Sequence, residues 1–128
     1  MERLFLMSSG AFGALGVILG AFGAHGLKAR LSALPDGLQR LSWWETAAHY
    51  HLIHALALFA AAYLAGKTGT GAATVAGWAF AAGILLFSGS LYAMTLTGVR
   101  VLGAVTPVGG LCFIAGWVAI AVAAGKIP

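Results

Sequence analysis

Charge is the scarcest property of this sequence. Its 128 residues include seven Lys and Arg and three Asp and Glu, while 61% of the residues are apolar. A soluble domain usually carries about a quarter charged residues, so this chain could not cover a water-facing surface. The composition therefore excludes a soluble globular protein and indicates an integral membrane protein.

Acidic residues are the rarest of the charged group, and none lies deep in an apolar run. Glu2, Asp36 and Glu45 are the three acidic residues. Paired carboxylates and a Ser-His-Asp triad therefore cannot form inside the membrane, and no glycine-rich phosphate loop precedes a lysine. We expect the protein not to be an enzyme. Proton-coupled cation export is also disfavoured, because it generally needs an intramembrane acid.

Cysteine is limited to Cys112, so no disulfide can form within the chain. The four histidines have no neighbouring Cys or Asp, which disfavours a closed zinc site. Haem ligation by His25 and His54 is disfavoured too, because the two residues are expected at different depths in the bilayer. We therefore expect no metal and no cofactor.

Four intervals free of charged residues are each long enough to cross the hydrocarbon core once. They predict spans at about residues 4–26, 43–65, 72–97 and 102–125, which form one domain. The first run is too long for the apolar part of a signal peptide, so we interpret it as a retained span. Short connections favour antiparallel neighbours, and the predicted fold is an all-α, up-down-up-down bundle of four transmembrane helices.

The connection between the first two spans has a leucine at every third or fourth position, with basic residues between the leucines. This pattern predicts an amphipathic segment that lies at the membrane interface. The leucines of the pattern are Leu27, Leu31, Leu34, Leu38 and Leu41.

Two prolines predict local breaks. Pro35 breaks the leucine-rich segment, and Asp36 with Gln39 has the spacing of a capping box for the next helix. Pro107 lies near the start of the fourth span, where we expect a kink.

Glycines recur every three or four residues along the first span, so we expect them to share one face of a helix. In lipid, such small side chains favour close helix packing. We predict Gly13, Gly16, Gly20 and Gly23 as helix-packing residues. The expected partners are the lipid bilayer and another helix, from a second copy or from a larger membrane complex, and no nucleic acid.

Unusual polar residues gather toward the side of the first and third loops. His54 lies ten residues beyond Trp44, so it is expected about 15 Å deeper and near the midplane. Ionisable groups at that depth usually face the protein interior or a cavity. The predicted polar pocket comprises His25, Tyr50, His51, His54, Ser88, Ser90, Tyr92, Thr106 and Pro107.

Membrane orientation depends on a small difference in basic residues. The side of the first and third loops has Lys28, Arg30, Arg40 and Arg100, whereas the side of the termini has Arg3, Lys67 and Lys126. Because positive residues usually lie inside, we expect the first and third loops in the cytoplasm.

Four motifs, in this order along the chain, resemble a known family. They are Gly20-Ala-Phe-Gly-Ala-His-Gly-Leu27, Tyr50-His-Leu-Ile-His-Ala-Leu56, Phe87-Ser-Gly-Ser-Leu-Tyr92 and Leu102-Gly-Ala-Val-Thr-Pro-Val-Gly-Gly110. The sequence resembles the YgdD/YwdK family of small bacterial membrane proteins, also called domain of unknown function 423, to which eukaryotic transmembrane protein 256 is similar. The resemblance implies a four-helix protein of the bacterial cytoplasmic (inner) membrane without an assigned activity. It implies no catalytic residues.

Two functional hypotheses follow. The first is a packing or accessory membrane protein, either a homo-oligomer or a subunit of a larger complex, whose glycine faces bind other helices. The alternative is a binding or transport module for a small molecule or lipid, with the polar pocket as its site. In a third interpretation, the polar groups only hold the helices together.

Overall fold

The computed structural model describes residues 1–127, and within that range it contains helices and turns but no strand. Four helices are long and apolar enough to cross a membrane. We name them α1 (Glu2–Leu31), α2 (Gly37–Thr68), α3 (Gly71–Thr97) and α4 (Arg100–Ala124). The predicted class, an all-α protein with four membrane-spanning helices, is confirmed.

Short turns connect the helices. Gly69 and Gly98 follow the last residues of α2 and α3, with φ angles of 60° and 73°. This left-handed conformation favours glycine and ends a helix sharply. Each turn therefore returns the chain directly alongside the helix that it has just left.

Helices α2 and α3 form the centre of the molecule, and α1 and α4 lie at opposite edges. Helix α1 packs on α2, α2 on α3, and α3 on α4, with a smaller contact between α2 and α4. Toward the end of the bundle at which the two chain termini lie, apolar side chains from all four helices form the main core. It includes Phe5, Leu58, Ala61, Phe80, Ile84 and Phe113.

Two of the helices contain a wider π-helical turn. It covers Gly23–Leu27 in α1 and Ile84–Ser88 in α3. Such turns interrupt the regular helical periodicity and shift the faces that follow them. Helix α1 continues through its π-helical turn to Leu31, beyond the predicted end of its span.

The predicted interfacial segment is not a separate helix. It comprises the end of α1, a turn and the first residues of α2. Leu27, Leu31 and Leu41 pack around Trp44, whereas Leu38 is 86% exposed. The leucine pattern therefore arises at the junction of two helices that pack on each other.

Both local predictions made at prolines need correction. Asp36 precedes α2, but its side chain makes no capping hydrogen bond and lies 3.8 Å from Arg40 instead. The Gln39 amide oxygen accepts a hydrogen bond from Arg100 at 2.9 Å, so the two residues do not form a capping box. Pro107 lies in the first turn of the regular helix Thr106–Ala124, where proline fits without kinking the helix.

Candidate functional site

The residues of the predicted polar pocket lie in several separate places. His51 and His54 are both buried in α2, but they contact different helices. At about 100° per residue their side chains differ by about 60° around α2, which is enough to reach different neighbours of a central helix. The structure brings Tyr50, His54 and Pro107 of the predicted pocket together in one groove and places the other predicted residues elsewhere.

His51 joins α2 to α3 and α1. Its Nδ1 atom lies 3.0 Å from the Tyr92 hydroxyl, and its ring meets the Phe12 ring edge-on. Nε2 is buried and has no hydrogen-bond partner within residues 1–127, although the Phe12 backbone lies close to the ring. If the Tyr92 hydroxyl donates to Nδ1, Nε2 carries the proton and points toward α1.

His54 joins α2 to α4 and makes hydrogen bonds through both ring nitrogens. Nδ1 lies 2.7 Å from the Tyr50 carbonyl oxygen, and Nε2 lies 3.2 Å from the Trp117 indole nitrogen. An indole can only donate, so Nε2 accepts and Nδ1 donates, which defines a neutral tautomer. The ring also stacks on Phe113 with centroids 3.5 Å apart. His54 is therefore satisfied within the protein.

The hydroxyl residues of the predicted pocket also connect helices. Ser88 donates to the Ala47 carbonyl oxygen at 2.8 Å, and the hydroxyls of Ser90 and Thr106 are 2.6 Å apart. These contacts join α3 to α2 and to α4, respectively. Each satisfies a polar group that would be costly to leave unpaired in the apolar interior.

His25 and Pro107 lie apart from these contacts. His25 is exposed in the π-helical turn of α1, on the opposite edge of the molecule from α4. Pro107 lines a groove between α2 and α4. Within residues 1–127, no group of three His, Cys, Asp or Glu side chains could hold a metal ion.

This α2–α4 groove forms a cavity with a volume of about 550 Å³. Its wall is mostly apolar and aromatic, with His49, Tyr50 and His54 as polar members. The groove runs from Pro107 to Trp117, about 15 Å along α4. It has the size and lining of a site for an apolar small molecule.

Sequence reasoning missed Trp117 and His49 as members of this site. Trp117 carried a usable signal, because tryptophan in membrane proteins concentrates at the interfaces and this residue lies deep in the fourth span. A tryptophan at such depth needs a hydrogen-bond acceptor, which His54 provides. His49 had no comparable signal, since its position alone fits the interface.

The four predicted packing glycines of α1 divide into two pairs. A Cβ added at Gly16 would lie 2.7 Å from the Leu52 side chain, and one at Gly23 would meet the Trp44 indole. The indole nitrogen of Trp44 donates to the Leu19 carbonyl oxygen at 2.7 Å, which is possible because Gly23 leaves room. At Gly13 and Gly20 an added Cβ meets nothing within 4 Å. The first pair packs on α2 and the second faces outward.

At the end of the bundle that carries the first and third loops, hydrogen bonds hold the start of α2 against the end of α3. The Arg40 guanidinium donates to the carbonyl oxygens of Thr95 and Leu96, at 2.8 and 3.2 Å. The Thr95 hydroxyl donates back to the Arg40 carbonyl oxygen at 3.0 Å. Arg40 thereby neutralises the negative end of the α3 dipole.

Arg100 packs on the same end, with its guanidinium 5.4 Å from the centre of the Trp43 ring. It also donates to Gln39, so the third loop is held against the start of α2. Lys28 and Arg30, at the end of α1, form no ion pair within residues 1–127. Their charges are therefore available to anionic head groups.

Comparison with known proteins identifies the family. The family model described as "Protein of unknown function (DUF423)" matches residues 19–110. The UPF0382 membrane protein YwdK of Bacillus subtilis is 48% identical over 125 residues, which cover 97% of this chain and 98% of that protein. A UPF0382 membrane protein of Staphylococcus saprophyticus is 41% identical over 98% of this chain and 99% of its own length.

A third relative, the UPF0382 membrane protein SH2409 of Staphylococcus haemolyticus, is 40% identical over 97% of both chains. No solved structure matches the chain. The family model and the near-complete coverage of these relatives agree with the resemblance carried by the four motifs. The chain belongs to the DUF423 family of membrane proteins of unknown function.

Proposed function

We propose that this protein is a helix-docking component of the bacterial cytoplasmic membrane, in which a second copy packs on α1. The role is structural and not catalytic. The observation that carries the proposal is the outward-facing small face of α1. This small face consists of Gly10, Gly13, Ala14, Val17, Gly20, Ala21 and Ala24.

The small face is one continuous surface. At about 100° per residue its members fall within an arc of about 120°, next to the face that packs on α2. Between Gly10 and Ala24, larger side chains such as Leu15 and Ile18 lie outside this arc. Added Cβ atoms at Gly10, Gly13 and Gly20 would meet nothing within 4 Å, so a neighbouring backbone could approach closely.

In a lipid environment, a face of small residues indicates a partner helix, whereas a face of large apolar residues does not. Apolar side chains on the outside of a membrane protein are ordinary, because acyl chains cover them, and they do not indicate a partner. Helix association in lipid depends instead on close packing, which small residues permit. A two-fold axis along the membrane normal would bring the same face of two copies together and complete the interface without another partner.

The proposed role also includes an orientation of the protein in the membrane. The first and third loops face the cytoplasm, because Lys28, Arg30, Arg40 and Arg100 outnumber the three basic residues at the other end. Lys28 and Arg30 would then contact anionic head groups near the docked α1 helices.

Native mass spectrometry of the protein in lipid nanodiscs tests the docking role. We expect the wild type to be a dimer and a Gly13→Leu/Gly20→Leu variant to be a monomer with a normal helical circular-dichroism spectrum. Gly89→Leu is the matched control, because an added Cβ there also meets nothing within 4 Å but lies on α3. A monomeric wild type, or the same dimer in all three proteins, would rule out the proposal.

A further inference from the structure

The polar groups that line the α2–α4 groove differ in whether they already form hydrogen bonds within the protein. His54 and Trp117 hydrogen-bond to each other. The His49 ring and the Tyr50 hydroxyl also line or adjoin the groove, and neither forms a hydrogen bond with another of residues 1–127. An occupant would therefore meet two free donors, an imidazole N–H and a phenol O–H.

The depth of these donors restricts the occupant. Tyr50 lies seven residues beyond Trp43, about 10 Å along α2. Trp43 packs under the interfacial Arg100, so it marks the membrane surface. A depth of about 10 Å lies within the hydrocarbon half-layer of about 15 Å. The charged head group of a phospholipid stays at the interface, so the donors face an uncharged acceptor deeper in the bilayer.

The lining of the groove favours a planar occupant. The rings of Tyr50, His54 and Phe113 are nearly parallel, with interplanar angles of 13° between Tyr50 and His54 and 20° between Tyr50 and Phe113. Phe87 adds a further ring beside Tyr50, with centroids 4.6 Å apart. Flat ring faces pack best against another ring in an offset stack.

We propose that the α2–α4 groove binds a quinone-type amphiphile, which is an uncharged planar ring with carbonyl oxygens and an apolar tail. The ring lies among the aromatic side chains that line the groove, and its carbonyl oxygens accept from His49 and Tyr50. The apolar tail follows α4 toward Trp117 and leaves the open side of the groove into the bilayer. This proposal does not depend on the docking of α1, which lies at the opposite edge of the molecule.

Titration of protein in phosphatidylcholine nanodiscs with decylubiquinone tests the proposal, with tryptophan fluorescence as the readout. Trp117 lines the groove, so a bound quinone quenches it, whereas quinone that only partitions into lipid gives a non-saturable background. We expect a saturable component of one quinone per chain. A Trp117→Phe variant should lose most of the saturable signal, and Trp78→Phe should keep it.

Groove variants separate binding from folding. An added Cβ at Gly110 lies 3.9 Å from the Phe87 ring, so the larger side chain of Gly110→Leu extends into the groove without a clash at its base. We expect it to abolish saturable binding, and Gly89→Leu to leave it unchanged. Tyr50→Phe keeps the ring and removes the donor, so it should raise Kd about 2- to 10-fold.

Competition with a related compound tests which chemical class the groove recognises. Decylbenzene has a ring and the same tail but no carbonyl oxygen, and we expect it to compete at least tenfold more weakly. Equal competition by decylbenzene would overturn recognition of the carbonyls. Quenching that never saturates, or that is the same in Gly110→Leu, would overturn the site. Retention of a phospholipid that is lost in Gly110→Leu, without quinone binding, would also overturn the assignment.

Discussion

The two outer surfaces of the molecule, one on α1 and one between α2 and α4, differ in the size of the side chains that they expose. From Gly10 to Ala24, the exposed surface of α1 next to α2 is built from Gly, Ala and one Val, and it is smooth. Between α2 and α4 the surface has large aromatic rings around a groove. The difference suggests different roles for two exposed apolar surfaces, and we propose that the smooth face binds another helix and the aromatic groove a small molecule.

Gly109 lies at the α3–α4 interface and Gly16 at the α1–α2 interface, and their surroundings differ. Substitution of Gly109 has the largest expected effect. An added Cβ at Gly109 would collide with the backbone of Phe87 in α3, whereas at Gly16 it would meet the flexible end of Leu52. We expect Gly109→Ala to lower the free energy of unfolding by about 2–3 kcal/mol and Gly16→Ala by less than about 1 kcal/mol. Equilibrium unfolding in mixed detergent micelles measures both values. Equal losses would show that both interfaces tolerate added volume alike.

Removal of the indole hydrogen bond tests the α2–α4 edge. Trp117→Phe keeps an aromatic ring in the groove but leaves His54 Nε2 without its donor. We expect a loss of about 1–2 kcal/mol in the free energy of unfolding, because a buried acceptor becomes unpaired. Trp78→Phe is the control, since Trp78 is 54% exposed on α3. A smaller loss in Trp117→Phe than in the control would contradict the assigned role of His54.

The contact between α2 and α3 at His51 should contribute less. Tyr92→Phe removes the hydroxyl that lies 3.0 Å from Nδ1 and preserves the ring packing. Interhelical hydrogen bonds in membranes contribute about 0.6 kcal/mol on average, so we expect a loss of about 0.5–1.5 kcal/mol. The same unfolding measurement applies, and a gain in stability would show that the hydroxyl is not a partner of His51.

We expect the smallest loss of stability at the end of the bundle that carries the first and third loops. Arg40→Gln removes the guanidinium that donates to the last carbonyl oxygens of α3. Loss of a cation at a helix C-terminus costs about 0.3–1 kcal/mol. Amide hydrogen exchange should show faster fraying of Thr95–Gly98 in this variant, while the centre of α3 is unchanged. Unchanged exchange at these residues would show that Arg40 does not stabilise the helix end.

Topology could be predicted from sequence because it depends on a coarse property. Four charge-free intervals separated by short polar turns admit one arrangement of spans in a bilayer, and the structure has four corresponding helices. Local breaks were less predictable. Pro107 predicted a kink, but the preceding 3₁₀ turn Arg100–Ala104 shifts the start of the regular helix so that this proline lies in its first turn.

The candidate site could be predicted only in part. The sequence predicted His51 and His54 as members of one polar pocket, but it could not tell that one meets α3 and the other α4. Contacts of a central helix depend on which helix lies on each side, and no local pattern encodes that arrangement. The same limit applies to the glycines, since spacing alone did not distinguish Gly16, which packs on α2, from Gly20, which is open.

The most direct test of the docking account is disulfide cross-linking between copies in native membranes. Val17 lies at the centre of the small face, and Leu15 lies on the other exposed side of α1. In a Cys112→Ser background, we predict that Val17→Cys forms a cross-linked dimer on mild oxidation and that Leu15→Cys does not. Equal cross-linking of the two variants, or cross-linking of Leu15→Cys alone, would contradict the claim that a second copy packs on the small face.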